Sequence, residues 1–406
     1  MGEAQWANSR GVVERVVITG KLVLETPTHF GNGDSGSFTD IPLSRDPLSG
    51  APLLTGASIA GALRNYLREH ELGFGVAEGQ DGKLFAEQLF GYSDMSQIQK
   101  ASVQSWLMID DALGIQVSVE LRDGVTINPK TRTAEDKKKY DVELLAAGTT
   151  FALRFELWLT STAQKDKWLA ALVTALKGLG EGEIGLDSRK RRGYGQCRVE
   201  GWRTRRYSMT DANAQGLLDW LNNVDNGVSG LPSDELGKGQ RTQNELKITA
   251  TFALESSLLI RSGTGQGNAP DMVHLRSRRG KEEKPIVSGT SLGGVIRGRA
   301  LRITNKIYET NMGIPLVDAM FGRRIESVKD IPSGSKFLVK ETEIVGGTFN
   351  LVQNRVKIDR FTGGAYPSGL FSQAPVWSDK QKGATVKIVM SLRRLSDESR
   401  DEFEAQ

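Results

Sequence analysis

The chain of 406 residues contains 38% hydrophobic residues, so it is long enough to bury two substantial cores, and two domains are expected. Its 53 Lys and Arg residues exceed its 49 Asp and Glu residues by a formal charge of only +4, so the total charge does not identify a binding partner. Its single cysteine excludes an intrachain disulfide and a cysteine-cage metal site, and without a signal peptide or a membrane-length apolar run, a cytoplasmic location is expected.

In chain order, the first half reads as strand, helix, strands, helix and strand. Alternating apolar residues rich in Val, Ile and Thr predict a strand over Val12–Glu25, followed by a glycine-rich loop over Phe30–Gly50. A helical period predicts a helix over Ser58–His70 with Ser58 as its N-cap. The remaining predicted elements are strands over Val103–Asp110, Ile115–Glu120 and Thr150–Leu159, a helix over Lys165–Gly178 and a closing strand over Gln196–Trp202. This order is typical of a split βαβ sheet.

The second half of the chain repeats the first. Leu53–Arg64 matches Ile286–Arg297 at an offset of 233 residues, with the identical pairs Gly56/Gly289, Ser58/Ser291, Gly61/Gly294 and Arg64/Arg297. Since this offset is the size of a domain, it predicts a tandem duplication with a first domain over 1–205 and a second over 246–406. The connection over 206–245 includes a short helical pattern at Ala214–Leu221. The second unit is expected to stop inside its second helix at Gln406, without the glycine loop and the closing strand.

A glycine-rich loop with four successive cations, Arg189–Arg192, precedes the predicted closing strand. Glycines let a backbone approach a phosphate chain, and the cations would neutralise that chain. The spacing is not that of a P-loop, because no Gly-Lys-Ser/Thr sequence follows. A solvated surface is the simpler explanation of any single basic run, but several such runs beside glycine-rich loops favour a polyanionic partner.

The repeated helix openings at Ser58 and Ser291 are a second candidate site. A helix N-terminus presents unpaired N–H groups to an anion, and Arg64 and Arg297 follow within two turns. The repeated glycines are equally consistent with close packing of the helix on the sheet, and this alternative stays open. The two arginines favour RNA as the anion.

The third candidate is the loop after the first strand of each repeat. Asp40 and Asp271 occupy matched places in it, and each is followed five residues later by an arginine, Arg45 or Arg276. A carboxylate in such a loop can hold a divalent ion or position a ribose 2′-hydroxyl for attack on its own phosphate. Capping a turn is common for a single loop aspartate, but the repetition favours a shared catalytic role. Histidine is excluded as the shared catalyst, because neither His29 nor His274 is repeated.

Several of these segments resemble a known family. Leu24–Gly31, Asp40–Gly50 and Leu54–Arg64 resemble the backbone subunits of type III CRISPR effector complexes, which belong to the RAMP (repeat-associated mysterious protein) superfamily. The glycine loop before Cys197 and the segment Ile127–Thr133 are similar to the same family. Two such units joined end to end resemble the double-backbone subunit of the type III-D branch.

This resemblance implies an α+β fold of two tandem RRM-like, ferredoxin-like RAMP domains with inserted loops and thumb hairpins, the latter within Asn128–Val142 and Asp359–Trp377. It implies guide crRNA, complementary target RNA and other CRISPR effector subunits as partners, and no membrane. It also implies that Asp40 and Asp271 are the catalytic and metal-binding residues, with Mg²⁺ or another divalent ion as cofactor. The residues expected to bind RNA are His29, Arg45, Ser58, Arg64, Arg68, Lys130, Arg132, Arg189, Lys190, Arg191, Arg192, Arg276, Arg278, Arg279, Ser291, Arg297 and Arg299.

Three functions remain open at this point. The leading hypothesis is a guide-RNA-binding endoribonuclease subunit that cuts target RNA at two places, one per repeat. A second is a scaffold that binds the guide but leaves the cutting to another subunit. A third is a nuclease that matures the guide with a histidine base and no metal, for which His29 would be the key residue.

Overall fold

The structure is a computed structural model that describes residues 11–31, 40–76, 83–92, 103–128, 131, 133–160, 164–186, 189–211, 213–233, 235–237, 239, 244–262, 269–307, 313–323 and 333–395. Lys130 and Arg132, two of the predicted RNA-binding residues, lie outside these described residues, and so does the segment 396–406 in which the second unit is expected to end. The described residues form a mixed α+β fold in which one arrangement occurs twice, as the sequence predicts. None of their helices is long and apolar enough to cross a membrane.

The first repeat and the connection after it contain strands β1–β9 and helices α1–α4. The strands are β1 (Val12–Leu24), β2 (Leu53–Leu54), β3 (Leu107–Ile109), β4 (Ala112–Ile115), β5 (Val119–Ile127), β6 (Ala134–Leu145), β7 (Thr150–Thr160), β8 (Cys197–Ser208) and β9 (Val228–Ser229). The helices are α1 (Gly56–Leu72), α2 (Phe85–Phe90), α3 (Lys165–Gly180) and α4 (Gln215–Leu221). The predicted single strand over Ile115–Glu120 is wrong, because Gln116 has a left-handed φ of 56° that separates β4 from β5.

The main sheet of the first repeat has the strand order β2-β4-β7-β1-β8-β9, with β3 also paired to β7. β1 is antiparallel to both of its neighbours, so that Val17 lies opposite Glu156 on one side and Arg205 on the other. The apolar residues of α1 and α3 join those of β1 in one core. Burying an aliphatic side chain in this way contributes about 1.5–3 kcal/mol, so the core positions the loops at the edge of the sheet.

The second repeat contains strands β10–β22 and helices α5 and α6. The strands are β10 (Glu245–Ala253), β11 (Ser257–Leu258), β12 (Arg261–Ser262), β13 (Met272–His274), β14 (Arg276–Arg279), β15 (Glu282–Val287), β16 (Phe337–Val339), β17 (Thr342–Gly346), β18 (Thr348–Asn350), β19 (Gln353–Ile358), β20 (Ala365–Ala374), β21 (Val376–Ser378) and β22 (Ala384–Arg393). The helices are α5 (Gly289–Ile307) and α6 (Gly313–Phe321). Its main sheet has the order β10-β22-β17-β15-β14, with β16 also paired to β22.

The two main sheets share part of their strand arrangement, and within the described residues their first strands are covered differently. β10 takes the place of β1, and β22 takes the place of β7. Val16, Ile18 and Leu22 of β1 are fully buried, whereas their counterparts in β10 are about half exposed, namely Leu246 (49%), Ile248 (46%) and Phe252 (53%). Within the described residues β10 pairs only with β22, and no counterpart of α3 or β8 covers it.

Each repeat also carries an antiparallel hairpin, but the ranges predicted for the thumbs, Asn128–Val142 and Asp359–Trp377, omit the first strand of each hairpin. In the first repeat β5 pairs with β6, and Asp123 lies opposite Asp141. In the second repeat β19 pairs with β20, and Gln353 lies opposite Gln373. The base of each hairpin adjoins the aspartate loop of the same repeat.

A buried cluster of charged residues joins the two repeats. This junction cluster consists of Glu120 and Arg122 from β5, Arg279 from β14, and Glu341. Arg122 donates two hydrogen bonds to the Glu341 carboxylate, at 2.6 and 3.3 Å, and one to Glu120 at 3.1 Å. Arg279 donates to the same Glu341 carboxylate at 2.7 Å. The Arg122 and Glu341 side chains are 5% and 1% exposed, so these two charges neutralise each other away from water, while Glu120 and Arg279 are partly exposed.

The charge state of Arg122 and two further donors to Glu120 complete the description of the junction cluster. Burial alone would lower the pKa of Arg122, but the charge and hydrogen bonds of Glu341 raise it above its ordinary value, so the guanidinium stays charged. The Ser277 hydroxyl donates to Glu120 at 3.1 Å, and the backbone N–H of Arg278 donates to the same carboxylate at 2.7 Å. The cluster thus ties the first hairpin to the β14–β15 edge of the second repeat.

Replacing Glu341 by Ala leaves Arg122 and Arg279 buried without their carboxylate. We expect the free energy of unfolding to fall by about 3–5 kcal/mol, the range for breaking a buried ion pair, measured by urea denaturation. Glu282 provides the control, because it pairs with Lys284 at an exposed position, and Glu282→Ala should leave the unfolding midpoint unchanged. Equal midpoints for the two variants would contradict a stabilising role for the junction cluster.

Candidate functional site

Asp40 lies at the surface and is held against the first hairpin by a backbone group. Its Oδ2 accepts a hydrogen bond of 2.9 Å from the backbone N–H of Asp141 on β6. The next residue, Ile41, pairs in parallel with Val142. The segment that carries the carboxylate is therefore fixed in register against the second strand of the hairpin.

Asp271 has the same anchor in the second repeat. Its Oδ2 accepts hydrogen bonds from the backbone N–H of Ser372 at 2.7 Å and from the Ser372 hydroxyl at 3.1 Å. Met272 pairs in parallel with Gln373, as Ile41 does with Val142. In both repeats the donor lies 101 residues after the aspartate. The two carboxylates thus occupy equivalent positions at the bases of equivalent hairpins.

Carboxylates gather around Asp40. The pKa of Asp141 is raised by its hydrogen bond with Asp123, by burial, and by the negative charges of Asp123 and Asp40. Lys139 offsets part of this charge, since its Nζ lies 3.5 Å from Asp123. Such a concentration of negative charge attracts a cation.

The surroundings of Asp271 are different. Its pKa is lowered chiefly by the hydrogen bond from the Ser372 backbone, then by the Ser372 hydroxyl, and also by the positive charge of Arg261. These groups stabilise the carboxylate form, so Asp271 is ionised at neutral pH. The first repeat therefore offers several acids at this place, whereas the second offers one acid and a nearby cation.

The donor chemistry of both loops suits Mg²⁺ in an open coordination mode. Among the described residues, no group of three or more His, Cys, Asp and Glu side chains is placed to hold a metal ion. Mg²⁺ is, however, commonly bound by one or two carboxylates, with waters and substrate phosphates completing its octahedron. Asp40 and Asp271 fit that mode, and a second acid, Asp141, lies beside Asp40.

Glu143 of β6 organises the first loop, a role that sequence patterns do not indicate. Its carboxylate accepts a hydrogen bond from the Leu43 backbone at 3.1 Å and lies 3.4 Å from Arg45. Its carbonyl oxygen lies 3.0 Å from Nδ1 of His29, which is buried. Two of the predicted RNA-binding residues, His29 and Arg45, therefore pack on Glu143.

The matching place in the second repeat is Ala374, so Arg276 has other partners. It donates to the carbonyl oxygen of Glu283 at 3.3 Å and to Asn350 Oδ1 at 3.4 Å. Sequence reasoning missed Glu143, and it missed the anchors Asp141 and Ser372 as well. The constant separation of 101 residues between each aspartate and its anchor is the signal that could have located the anchors.

The helix openings differ from the prediction. Ser58 is not the N-cap of α1; Thr55 is, and its hydroxyl accepts the N–H of Ser58 at 3.3 Å. Ser288 bonds to the N–H of Ser291 in the same way at 3.2 Å. The helices begin at Gly56 and Gly289, which places both predicted serines inside the first turn.

Packing explains only the first of the two repeated glycines in each helix. A Cβ on Gly56 would overlap the carbonyl oxygen of Ile109, and one on Gly289 would overlap the carbonyl oxygens of Arg192 and Val339. Close packing therefore requires the first glycine of each pair. A Cβ on Gly61 or Gly294 would meet open space, so packing does not explain the second glycine.

The basic loop lies at the contact between the repeats. The Arg189 guanidinium is 5.1 Å from the ring centroid of Tyr140, and that of Arg191 is 4.9 Å from the ring centroid of Phe74. Lys190–Arg192 form a 3₁₀ turn. Gly193 ends it with a left-handed φ of 87°, and a Cβ there would overlap the backbone nitrogen of Glu341. The loop thus docks onto the second repeat.

The remaining predicted RNA-binding residues are distributed over the helices and the junction. Arg68 donates to the carbonyl oxygen of Val76 and to Asn65, and Arg297 forms an ion pair of 2.7 Å with Asp318. Arg278 donates to the Ser118 hydroxyl at 2.8 Å across the junction. Arg64 is half-buried in α1, and Arg299 is exposed on α5. The predicted set therefore includes side chains that hold the fold together.

Comparison with known proteins reveals two similarities. The RAMP superfamily model matches residues 21–198 and 251–405, which covers both repeats. Over 115 residues, the chain is 33% identical to the CRISPR system Cms endoribonuclease Csm3 of Enterococcus italicus, an alignment that covers 26% of this chain and 50% of that protein. The chain thus spans about half the length of this curated relative.

Replacing Ser372 by Ala removes one of the two donors that hold the Asp271 carboxylate. We expect the pKa of Asp271 to rise, because the hydroxyl stabilises the charged form while the backbone N–H remains. Carboxyl NMR titration would measure the change. Asp379 is the internal control, since its pKa is lowered chiefly by backbone donors and by no hydroxyl, and it should titrate unchanged. An unshifted Asp271 would contradict the role assigned to the hydroxyl.

Proposed function

We propose that this chain, which belongs to the RAMP superfamily, binds guide crRNA as a backbone subunit of a type III CRISPR effector and cuts complementary target RNA at two places. The similarity to a CRISPR endoribonuclease supports this assignment over part of the chain. The repeated match to one family model supports two RNA-binding units in one polypeptide.

The observation that carries the proposal is the repeated anchoring of an aspartate at the base of a hairpin. Asp40 and Asp271 each present a carboxylate at the surface, held by a backbone N–H at the same separation along the chain. A single surface aspartate has many structural explanations. Two that share position, anchor and strand register are better explained by a shared chemical role.

The proposed chemistry is cleavage of a phosphodiester beside each carboxylate. A bound divalent ion would neutralise the charge that develops on the scissile phosphate. The anchor N–H of Asp141 or Ser372 holds one carboxylate oxygen, which leaves the other free to hold a divalent ion or to accept the proton of an attacking ribose 2′-hydroxyl. The lowered pKa of Asp271 keeps that carboxylate charged for the same purpose.

The hairpins offer apolar surface that suits nucleotide bases. Val125 and Ile127 on β5 are exposed, and so are Val356 and Ile358 on β19. Phe361, at the turn between β19 and β20, is 99% exposed. Exposed aromatic and aliphatic side chains beside cationic loops are typical of proteins that bind single-stranded nucleic acid by stacking.

A scaffold without nuclease activity is the second candidate, and an observation in the second repeat favours it. Asp271 Oδ2 already accepts two hydrogen bonds, and a positive charge lies nearby. Such a carboxylate binds a metal ion less readily than Asp40 does. A guide-processing nuclease receives no such support, because its expected base, His29, is buried against Glu143.

Asp40→Ala and Asp271→Ala should each abolish one of two cuts in a complementary RNA and leave the other. We expect each cut to slow by about a hundredfold or more, the lower range for a positioned acid–base group. The measurement uses the chain assembled with guide crRNA and its effector subunits, end-labelled target RNA and Mg²⁺. Both cuts should disappear in the double variant and in EDTA.

Matched controls separate catalysis from general surface effects. Asp46 is a loop aspartate bonded to Ser49, and Asp379 has a pKa lowered by backbone donors, as Asp271 does. Asp46→Ala and Asp379→Ala should leave both cuts intact. If the Asp40 and Asp271 double variant still made both cuts while binding the target normally, the chain would be a scaffold.

The salt dependence of guide binding should distinguish the contribution of stacking from that of charge. Phe361→Ala should weaken guide binding by about 1–3 kcal/mol, the range for one stacked base, without changing the salt dependence. Arg299→Ala should lower the slope of log K against log salt by about 1, as for one lost phosphate contact. Filter binding at several salt concentrations measures both. Identical salt slopes for the wild type and Arg299→Ala would exclude a phosphate contact at Arg299.

A further inference from the structure

The junction cluster lies on a continuous structural route between the two aspartate loops. Asp40 is bound by Asp141, and Asp141 lies opposite Asp123 in the β5–β6 hairpin. Arg122, the neighbour of Asp123, is bound to Glu341 of the second repeat. The carboxylate of Asp40 is therefore linked to the second repeat through one hairpin and one buried ion pair.

The route continues to Asp271 on the other side. Arg279 binds the same Glu341 carboxylate, and its guanidinium also donates to the Ser277 hydroxyl at 2.6 Å. Both residues belong to β14, which follows directly after β13 and the Asp271 loop. Each carboxylate loop is thus joined to the junction cluster through adjacent residues.

The hydrogen bonds of the junction cluster are satisfied in only one alignment of the two repeats. Two guanidinium groups share one carboxylate, and Ser277, Arg278 and Arg122 all donate to Glu120. A shift of the repeats by one residue would leave buried charges without partners. The second repeat has Leu351 and Gln353 at the places of Glu120 and Arg122, so its hairpin lacks the charged pair of the first.

We propose that the junction cluster fixes the distance between the two aspartate loops, and that Arg122 and Glu341 are positioning residues that set the interval between the two cuts. This inference rests on the proposed nuclease function. According to this proposal, the guide sets which part of the target is bound, and the buried ion pairs of this chain set how far apart the two cuts fall.

The first test measures the interval between the two cuts in Glu341→Gln and Glu341→Ala, in the assembled guide complex with end-labelled target. A nucleotide step along a strand is only about 3.4 Å, so loosening of the cluster should move one cut by about one nucleotide or spread it over neighbouring positions. Both cuts should still be made. A purely structural role would lower both rates and leave the interval unchanged.

Glu156 supplies a closely matched control within the first repeat. Its side chain is 3% exposed and binds two arginines, Arg15 and Arg154, each at 2.6 Å. Glu156→Gln should therefore disturb a similar ion pair without touching the junction. We expect it to keep the wild-type interval. A shift as large in Glu156→Gln as in Glu341→Gln would overturn the proposal.

A second measurement does not depend on cleavage. Spin labels at Leu48→Cys, a position 96% exposed, and at Lys281→Cys report the distance between matching edges of the two repeats. The native Cys197 is buried and should not be labelled. Glu341→Gln should broaden or shift the distance distribution relative to the wild type, whereas Glu156→Gln should not.

The two measurements distinguish the possible failures. If the wild type makes no cut, the proposed nuclease function fails, while the label distances still test the cluster. If the distances and the cut interval both stay as in the wild type when Glu341 is replaced, the cluster does not set the spacing. If Glu341→Ala does not fold, Glu341→Gln and Arg122→Lys decide the question by the same two readouts.

Discussion

The placement of the two repeats depends on a buried carboxylate that two arginines share. Glu341 is almost inaccessible to water, so its charge is tolerated only with Arg122 and Arg279 in contact. Arg122 belongs to the first hairpin, and Arg279 belongs to the strand that follows the second aspartate loop. This electrostatic requirement therefore joins the first hairpin to the strand that follows the second aspartate loop, and a second buried ion pair between Glu69 and Arg393 also joins the repeats.

The aspartate loops of the two repeats are alike, although the described residues around their first strands differ. The first repeat encloses β1 between β7 and β8 and covers it with α3, whereas β10 has its apolar face about half exposed in the described residues. Even so, Asp271 keeps the anchor and the parallel pairing found at Asp40. The geometry of this loop therefore depends on its own hydrogen bond and strand pairing with the hairpin.

Much of the fold could be predicted from periodicity, and the site only in part. The strand β1 and the helices α1 and α3 have regular apolar spacing, so their bounds agree with prediction to within two residues. The N-cap was placed wrongly, because Thr55 and Ser58 are both suitable residues and only the entry of the chain at Gly56 distinguishes them. The roles of Glu143 and Glu341 could not be predicted from the sequence, because their partners lie about 100 and 219 residues away along the chain.

The anchor of each aspartate explains why the carboxylate can be found from the sequence but its hydrogen-bond donor cannot. The donor is a backbone N–H, which every residue except proline supplies. Asp141 and Ser372 can therefore differ in side chain and still hold Oδ2 in the same way. The side chain at the anchor position therefore sets the local electrostatics. Asp141 adds an acid beside Asp40, whereas the Ser372 hydroxyl lowers the pKa of Asp271. Duplication thus preserved the geometry through the strand register and allowed the electrostatics of the two sites to differ.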